Sequence, residues 1–210
     1  PEAALGERQQ VEQQTSGRTL IDMRKLNLIV GSGGILSHAP RRIQSMLMMV
    51  DAYEPVGCTM LSVDSIFMMP HLGVLSTINE KAATDVFVRD CMIYLGTCVA
   101  PIGQGKDGDI CADYAITFAD GRTVKDRLFF GDLKHYPLES GAKAAMTMHP
   151  AKSIDAGAGP GAPVTRDVLG GVVGLLLDGR GRPLQLPAEP SARVAALNKW
   201  FDAVDLYPKG

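Results

Sequence analysis

KLNLIVGSGGILSHAP, residues 25–40, is the stretch that decides how the chain is built. An apolar run from Leu26 to Val30 ends in Gly31-Ser32-Gly33-Gly34, with Ser37 and Pro40 beyond it. The pattern predicts a buried strand, a tight glycine turn and a helix start. Glycine reaches dihedrals closed to other residues and lets a ligand approach the main chain. A helix beginning behind such a turn offers unpaired N–H groups and a positive dipole end. That makes a device for a nucleotide or another anion. A plain strand-to-helix turn, with glycine for packing, gives the same pattern. The spacing is neither the dinucleotide fingerprint nor a Walker loop, which needs a Lys-Ser/Thr pair.

Outward from the turn, residues 25–30 show no alternation, so a strand covered on both faces is expected, as in a parallel sheet with helices. Residues 40–53 read as a helix with Pro40 in its first turn and a stripe of Ile43, Met46, Leu47 and Val50 toward the core. Arg41 and Arg42 fall in that first turn, where the dipole disfavours cations; they are either two solvated arginines or a sign of a nearby anion. Glu54-Pro55 and Gly57 close the helix. Residues 59–69 are a second apolar run beginning as a strand and interrupted by Asp64, which reads as a turn or helix cap. Pro70-His71-Leu72-Gly73 is a break. Asn79 is a candidate N-cap for a helix through Ala82, Ala83, Val86, Phe87 and Met92 toward Tyr94. Residues 25–93 therefore read β-α-β-α, part of an α/β sheet.

From about residue 95 glycine and proline recur and the apolar runs shorten. Residues 111–118 alternate, with Ala112, Tyr114, Ile116 and Phe118 on one face. Asp120-Gly121 signals a hairpin returning through 123–130. Residues 142–148 are a further strand candidate, 155–163 a loop, and 168–177 an apolar run interrupted by glycines. Residues 178–183, DGRGRP, read as a tight turn before 184–186 run back. The expectation is a compact β-barrel or sandwich of about five to seven short strands. After a linker at 187–190, Ser191 is the expected cap of a last helix whose face carries Val194, Leu197, Trp200, Phe201 and Val204.

Composition narrows the function. The 210 residues are 46% hydrophobic and 21% charged, ordinary for a globular protein. A net charge of −2 gives no electrostatic case for nucleic acid or an anionic membrane. No apolar run approaches the roughly 20 residues of a membrane helix. The start, PEAALGERQQVEQQ, is polar, lacks an initiator Met and is no signal peptide, which suggests a processed chain or a fragment. Cys58, Cys91, Cys98 and Cys111 form no CxxC pair and the histidines are scattered, so buried thiols in a reducing cytosol fit better than a metal site. Met46, Met48, Met49, Met60, Met68 and Met69 crowd one third of the chain; they fill a core or form an adaptable docking face. No catalytic set is complete. Ser37 and His38 are adjacent and are not expected to face each other as nucleophile and base. Gly31-Ser32-Gly33 is not a nucleophile elbow. Asp107 and Asp109 sit in a glycine-rich loop, and Cys98 or His71 stands without a partner set. The residues point toward binding, or toward half of an enzyme.

LNLIVGSGGILSHAPRR, VDSIFMMPHLGVLS and GGVVGLLLDGRGRPLQLP together resemble the C-terminal part of MutL-type proteins (GlmL). These are accessory proteins encoded with cobalamin-dependent glutamate mutase and are unrelated to the mismatch-repair protein of the same letters. The resemblance covers about residues 25–208. It implies the actin-like ATPase superfamily, with sugar kinases and DnaK-type chaperones, and a role in ATP-driven reactivation of the mutase. It implies a nucleotide, ATP or ADP, contacted by Gly31, Ser32, Gly33 and Gly34; Arg42, read above as a sign of a nearby anion, joins them as a candidate contact. Asp64 and Gly73 match the region leading into the last helix of that half. The first phosphate-binding hairpin belongs to an N-terminal half with no counterpart here. Efficient hydrolysis and Mg²⁺ binding are therefore expected only if that half completes the chain.

The expected architecture is α/β plus β. A flexible segment 1–24 precedes a partial actin-like (ribonuclease H-like) lobe at 25–94. A β-rich domain follows at 95–187, a guess at partner docking, and then a C-terminal helix at 188–210. The expected setting is cytoplasmic, with a mutase or similar client, the missing ATPase half, and a possible homo- or hetero-oligomer as partners. Two alternatives stand beside this: a non-catalytic interaction subunit, and a small-molecule enzyme with an interdomain site.

Overall fold

The structure is a computed structural model that describes residues 22–207; the expected flexible segment lies, but for its last residues, outside them. A single 3-10 turn, Met23–Lys25, leads into β1, Leu28–Gly31. After the glycine turn come the four-residue helix α1, Gly34–Ser37, and the long helix α2, Arg42–Tyr53. Strand β2, Gly57–Asp64, is followed by helices α3, Met69–Ser76, and α4, Glu80–Val86, and by a wide π turn, Phe87–Cys91. Strands β3 (Met92–Ala100), β4 (Ile110–Phe118), β5 (Thr123–Phe129), β6 (Leu133–Tyr136), β7 (Lys143–Pro150), β8 (Val164–Leu169) and β9 (Leu175–Asp178) precede helix α5, Pro190–Ala203.

The strands form two sheets. One has five strands in the order β1-β2-β3-β9-β6, the other four in the order β5-β4-β7-β8. β1 runs parallel to β2, and β3 parallel to β9, while β2–β3 and β6–β9 are antiparallel. The first sheet draws strands from both sides of residue 95. Both sheets are open, so of the expected barrel or sandwich no barrel closes, and the strands form two packed sheets, one of them built partly from the first lobe. The uninterrupted apolar run of β1 does not mean burial on both faces: β1 is an edge strand, and Leu28 is 41% exposed.

Three layers result. Tyr114, Ile116, Leu128, Met146 and Met148 of the second sheet pack against Val99, Leu175 and Leu177 of the first. On the other face of the first sheet, Leu61, Leu95, Cys98 and Leu176 meet Ile43, Met46, Met49 and Val50 of α2 and Trp200 of α5. A small third cluster, Leu72, Ala83 and Cys91, lies under α3 and α4. Met46 and Met49 are fully buried, so core filling explains these two methionines; Met69 stays exposed.

The alternation at 111–118 is realised, with Ala112, Tyr114, Ile116 and Phe118 buried in β4. Gly121 makes the hairpin turn at φ 84°. Asn79 caps α4, accepting from the Ala82 N–H at 3.0 Å. That helix ends before Tyr94: Met92, Ile93 and Tyr94 begin β3, because pairing with β2 outweighs helical spacing. Glu189, not Ser191, caps α5, its carboxylate accepting from the Ala192 N–H at 2.7 Å with Pro190 in the first turn. Residues 184–186 form no strand.

The turn 178–183 is more than a turn. Asp178 is 1% exposed and accepts from Arg180 Nε at 3.0 Å and Arg182 Nη2 at 2.8 Å. Arg180 also reaches Asp51 of α2 at 2.7 Å and lies 4.9 Å over the Trp200 ring. Arg182 donates to the Pro55 carbonyl at 3.0 Å, and the Leu184 N–H to Glu54 at 2.8 Å. The turn thereby clamps the C-terminal end of α2 to β9 and α5.

Candidate functional site

The parallel register of β1 and β2 places the site. Gly31 pairs with Val63, so the next residues, Ser32 and Asp64, lie side by side at the carboxyl ends of the two strands. Ligands of open α/β sheets gather outside the carboxyl ends of the strands, where this turn lies. Ser32 Oγ donates to Asp64 Oδ2 at 3.1 Å, and Asp64 also accepts from the Met68 and Met69 N–H groups at 3.0 and 2.8 Å. One buried carboxylate thus ties the glycine turn to the start of α3. Burial pushes the Asp64 carboxyl up, but its hydrogen bonds from Met69, Met68, Ser32 and Ile66 outweigh that and hold it below its ordinary value.

The four residues of the turn do different things. A Cβ on Gly31 would lie 2.6 Å from Leu36 Cδ1 and 3.0 Å from Met49 Sδ, so that glycine serves packing. Gly33 has φ +134°, a conformation L side chains rarely adopt, and a Cβ there or on Gly34 would meet nothing within 4 Å. Ser32 and Gly34 are exposed. The Leu36 and Ser37 N–H groups bond to the Gly33 carbonyl at 3.1 and 3.0 Å. The N–H groups of Gly33, Gly34 and Ile35 have no partner among the described residues. The turn therefore offers open main chain with spare donors.

Arg42 stands apart from it. Its guanidinium donates to the Ser37 carbonyl at 3.1 Å and the Leu36 carbonyl at 3.5 Å, at the far end of α1. Arg41 reaches the Leu206 carbonyl at 3.0 Å. Ser37 and His38 do meet, Ser37 Oγ lying 3.0 Å from His38 Nδ1, but not as nucleophile and base. Both also bond to turn carbonyls, Ser37 Oγ to Gly33 and His38 Nδ1 to Gly34, each at 3.0 Å. Nδ1 facing a carbonyl carries the proton and cannot accept one from the serine. The pair latches α1 shut.

Other candidates are placed away from any reactive set. Cys98 is 1% exposed in the core, and burial pushes its thiol up to about 12, which keeps it neutral. His71 is exposed on α3, and Asp107 pairs with Lys199 at 3.6 Å. All four cysteines are free. Among the described residues, no group of three or more His, Cys, Asp or Glu is placed to hold a metal ion, and no helix is long and apolar enough to cross a membrane.

The Asp64 pin has a measurable weight. Asp64→Ala removes the acceptor of two part-buried N–H groups and of Ser32, and is expected to lower stability by about 2 kcal/mol in urea unfolding. Asp64→Asn keeps one oxygen and should lose less. With a depressed folded-state pKa, the contribution of Asp64 is complete above the ordinary carboxylate range and fades as pH falls through the folded value.

The fold and site define a mixed α/β protein that presents an open, acid-pinned glycine turn at the end of a parallel strand pair. Residues 5–91 match the model of the family described as MutL protein. The match bears out the family named by the sequence resemblance. It begins upstream of the resembling stretch and ends at the start of β3, leaving the second sheet outside. No curated protein and no solved structure matches the chain.

Proposed function

We propose that this chain is the nucleotide-binding C-terminal portion of an actin-like ATPase that serves as an accessory, reactivating factor for a cobalamin-dependent mutase such as glutamate mutase. The observation that carries the reading is the open turn Ser32–Gly33–Gly34, held by Asp64 inside the segment that matches the MutL family. The residues fit such a ligand. Gly33 and Gly34 leave room for a nucleoside to lie on the main chain, and the unpaired N–H groups supply donors. Ser32 and Asp64 fix the loop's shape before binding, which spares the ordering cost. ATP hydrolysis would supply the free energy for remodelling the client, given a partner half that holds the phosphates and Mg²⁺.

Calorimetric titration of the chain with ADP tests this. Saturable binding is expected, lost in Gly33→Val and in Gly34→Val. The second variant adds its side chain to open space without the positive φ, so its loss cannot come from backbone strain. Unchanged ADP affinity in both variants would overturn the site.

One observation favours the interaction-subunit reading. Ile66 is 58% exposed, Phe67 48%, Val74 68% and Ile78 84%, apolar side chains open to solvent on and beside α3. That reading predicts a dimer or hetero-complex by light scattering that ADP leaves unchanged.

A further inference from the structure

We propose that a cavity formed where α2 begins binds a small organic anion: a phosphate or carboxylate carried on a compact apolar body. The cavity measures about 520 Å³ and is lined by Arg41, Arg42, His135, Asp205 and the valines Val172 and Val173. This site is independent of the glycine turn and of the nucleotide reading.

Two features argue for an anion. First, both guanidinia are held mainly by carbonyl oxygens: Arg42 by Ser37 and Leu36, Arg41 by Leu206 and Asp205. A carbonyl orients a guanidinium without cancelling its charge, and each guanidinium has five N–H donors, of which these bonds use few. Second, the neutralising charge is thin. Arg41 lies 3.6 Å from the Asp205 carboxylate, whose side chain is 68% exposed. Arg42 has no carboxylate within 4.0 Å among the described residues.

The apolar side selects the body of the ligand. Val172 is 55% exposed yet belongs to the wall of this polar cavity, and Val173, Ile43 and Val204 continue the wall. Two oriented guanidinia match the planar or trigonal oxygens of a carboxylate or phosphate better than ammonium groups do. The carbonyl contacts keep both side chains in place before a ligand arrives, so little rotamer freedom is lost on binding.

Calorimetric titration of the whole 210-residue chain with inorganic phosphate, phenyl phosphate and benzoate tests the assignment. Saturable binding of phenyl phosphate or benzoate is expected, at least about tenfold tighter than inorganic phosphate, and the tighter of the two names the head group. Arg42→Gln and Val172→Glu should each weaken it by about tenfold or more. Val172→Glu alters an exposed side chain and brings a repelling charge, so its effect does not depend on the role of Arg42 in holding α1. Gly34→Val should leave this binding unchanged, whatever becomes of ADP. Absence of saturation up to about 10 mM, inorganic phosphate binding as tightly as the organic anions, or retention of affinity in Val172→Glu or in Arg42→Gln would each overturn the proposal.

Discussion

Asp178→Ala is expected to lower the unfolding free energy by about 3–5 kcal/mol, a large part of what holds a domain of this size together. The Asp178 side chain is wholly buried, and it faces Arg180 and Arg182, whose side chains are 2% and 4% exposed. With the carboxylate gone, Arg180 keeps Asp51, but Arg182 keeps only the carbonyls of Pro55 and Gly181. An uncompensated buried cation is far costlier than the absence of the whole cluster. Replacing Asp178 with Leu together with Arg180 and Arg182 by Met should therefore recover much of the loss, and equilibrium urea unfolding of the two variants checks both statements. Burial alone would push the Asp178 carboxyl up; Arg180 and Arg182 overcome that and hold it below its ordinary value. A depressed pKa gives stability that is fully present above the unfolded value and is lost as pH falls through the folded one. The wild-type protein should therefore weaken steeply only in acid, and Asp178→Ala should flatten that dependence.

Gly96→Ala is expected to destabilise by about 2–6 kcal/mol, from backbone strain and overpacking together. Gly96 has φ +137°, and a Cβ on it would lie 1.8 Å from the Gly174 carbonyl oxygen. That oxygen belongs to backbone, so nothing can swing aside. The site also adjoins the irregularity in the β2–β3 pairing, where the register shifts between Leu61 and Ser62. Gly73→Ala provides the contrast. Gly73 sits inside α3 with nothing within 4 Å of a Cβ, so alanine there should raise stability by about 1 kcal/mol through helix propensity. Thermal unfolding of the two variants should move in opposite directions.

Local signals in the sequence carried local structure well. The stripe Ile43, Met46, Leu47 and Val50 is buried as its spacing says, and the Asp120-Gly121 hairpin and the cap role of Asp64 are realised. Failures came where long-range pairing decides. The helix expected to reach Tyr94 yields to β3 because β2 offers it a ladder that no local window contains. The run 25–30 reads as fully covered, whereas its place at the sheet edge depends on which strands come later. Within the candidate site, the sequence showed the glycines but not their division of labour: only coordinates separate Gly31, crowded by Leu36 and Met49, from the open Gly33 and Gly34. Arg42 was grouped with the turn by proximity in the chain, and its guanidinium lies instead on carbonyls at the other end of α1. The buried Asp178–Arg180–Arg182 set went unread because glycines beside charges look like a solvated turn. Its one available signal was the regular two-residue spacing of an acid and two arginines, unusual in a solvated turn.

Strand β9 has a bearing on how the chain comes together during synthesis. Leu176 and Leu177 pair with Cys98 and Val99 on one side, and His135 and Lys134 pair with the same two residues on the other. β6 has no other neighbour, and β3 has an open flank until β9 arrives. A growing polypeptide leaving the ribosome must carry both unpaired edges until residue 178 has emerged, because an interior strand of the sheet is the last of it to be made. The nascent protein is exposed to mispairing through that whole interval, and a holding chaperone would act on it there.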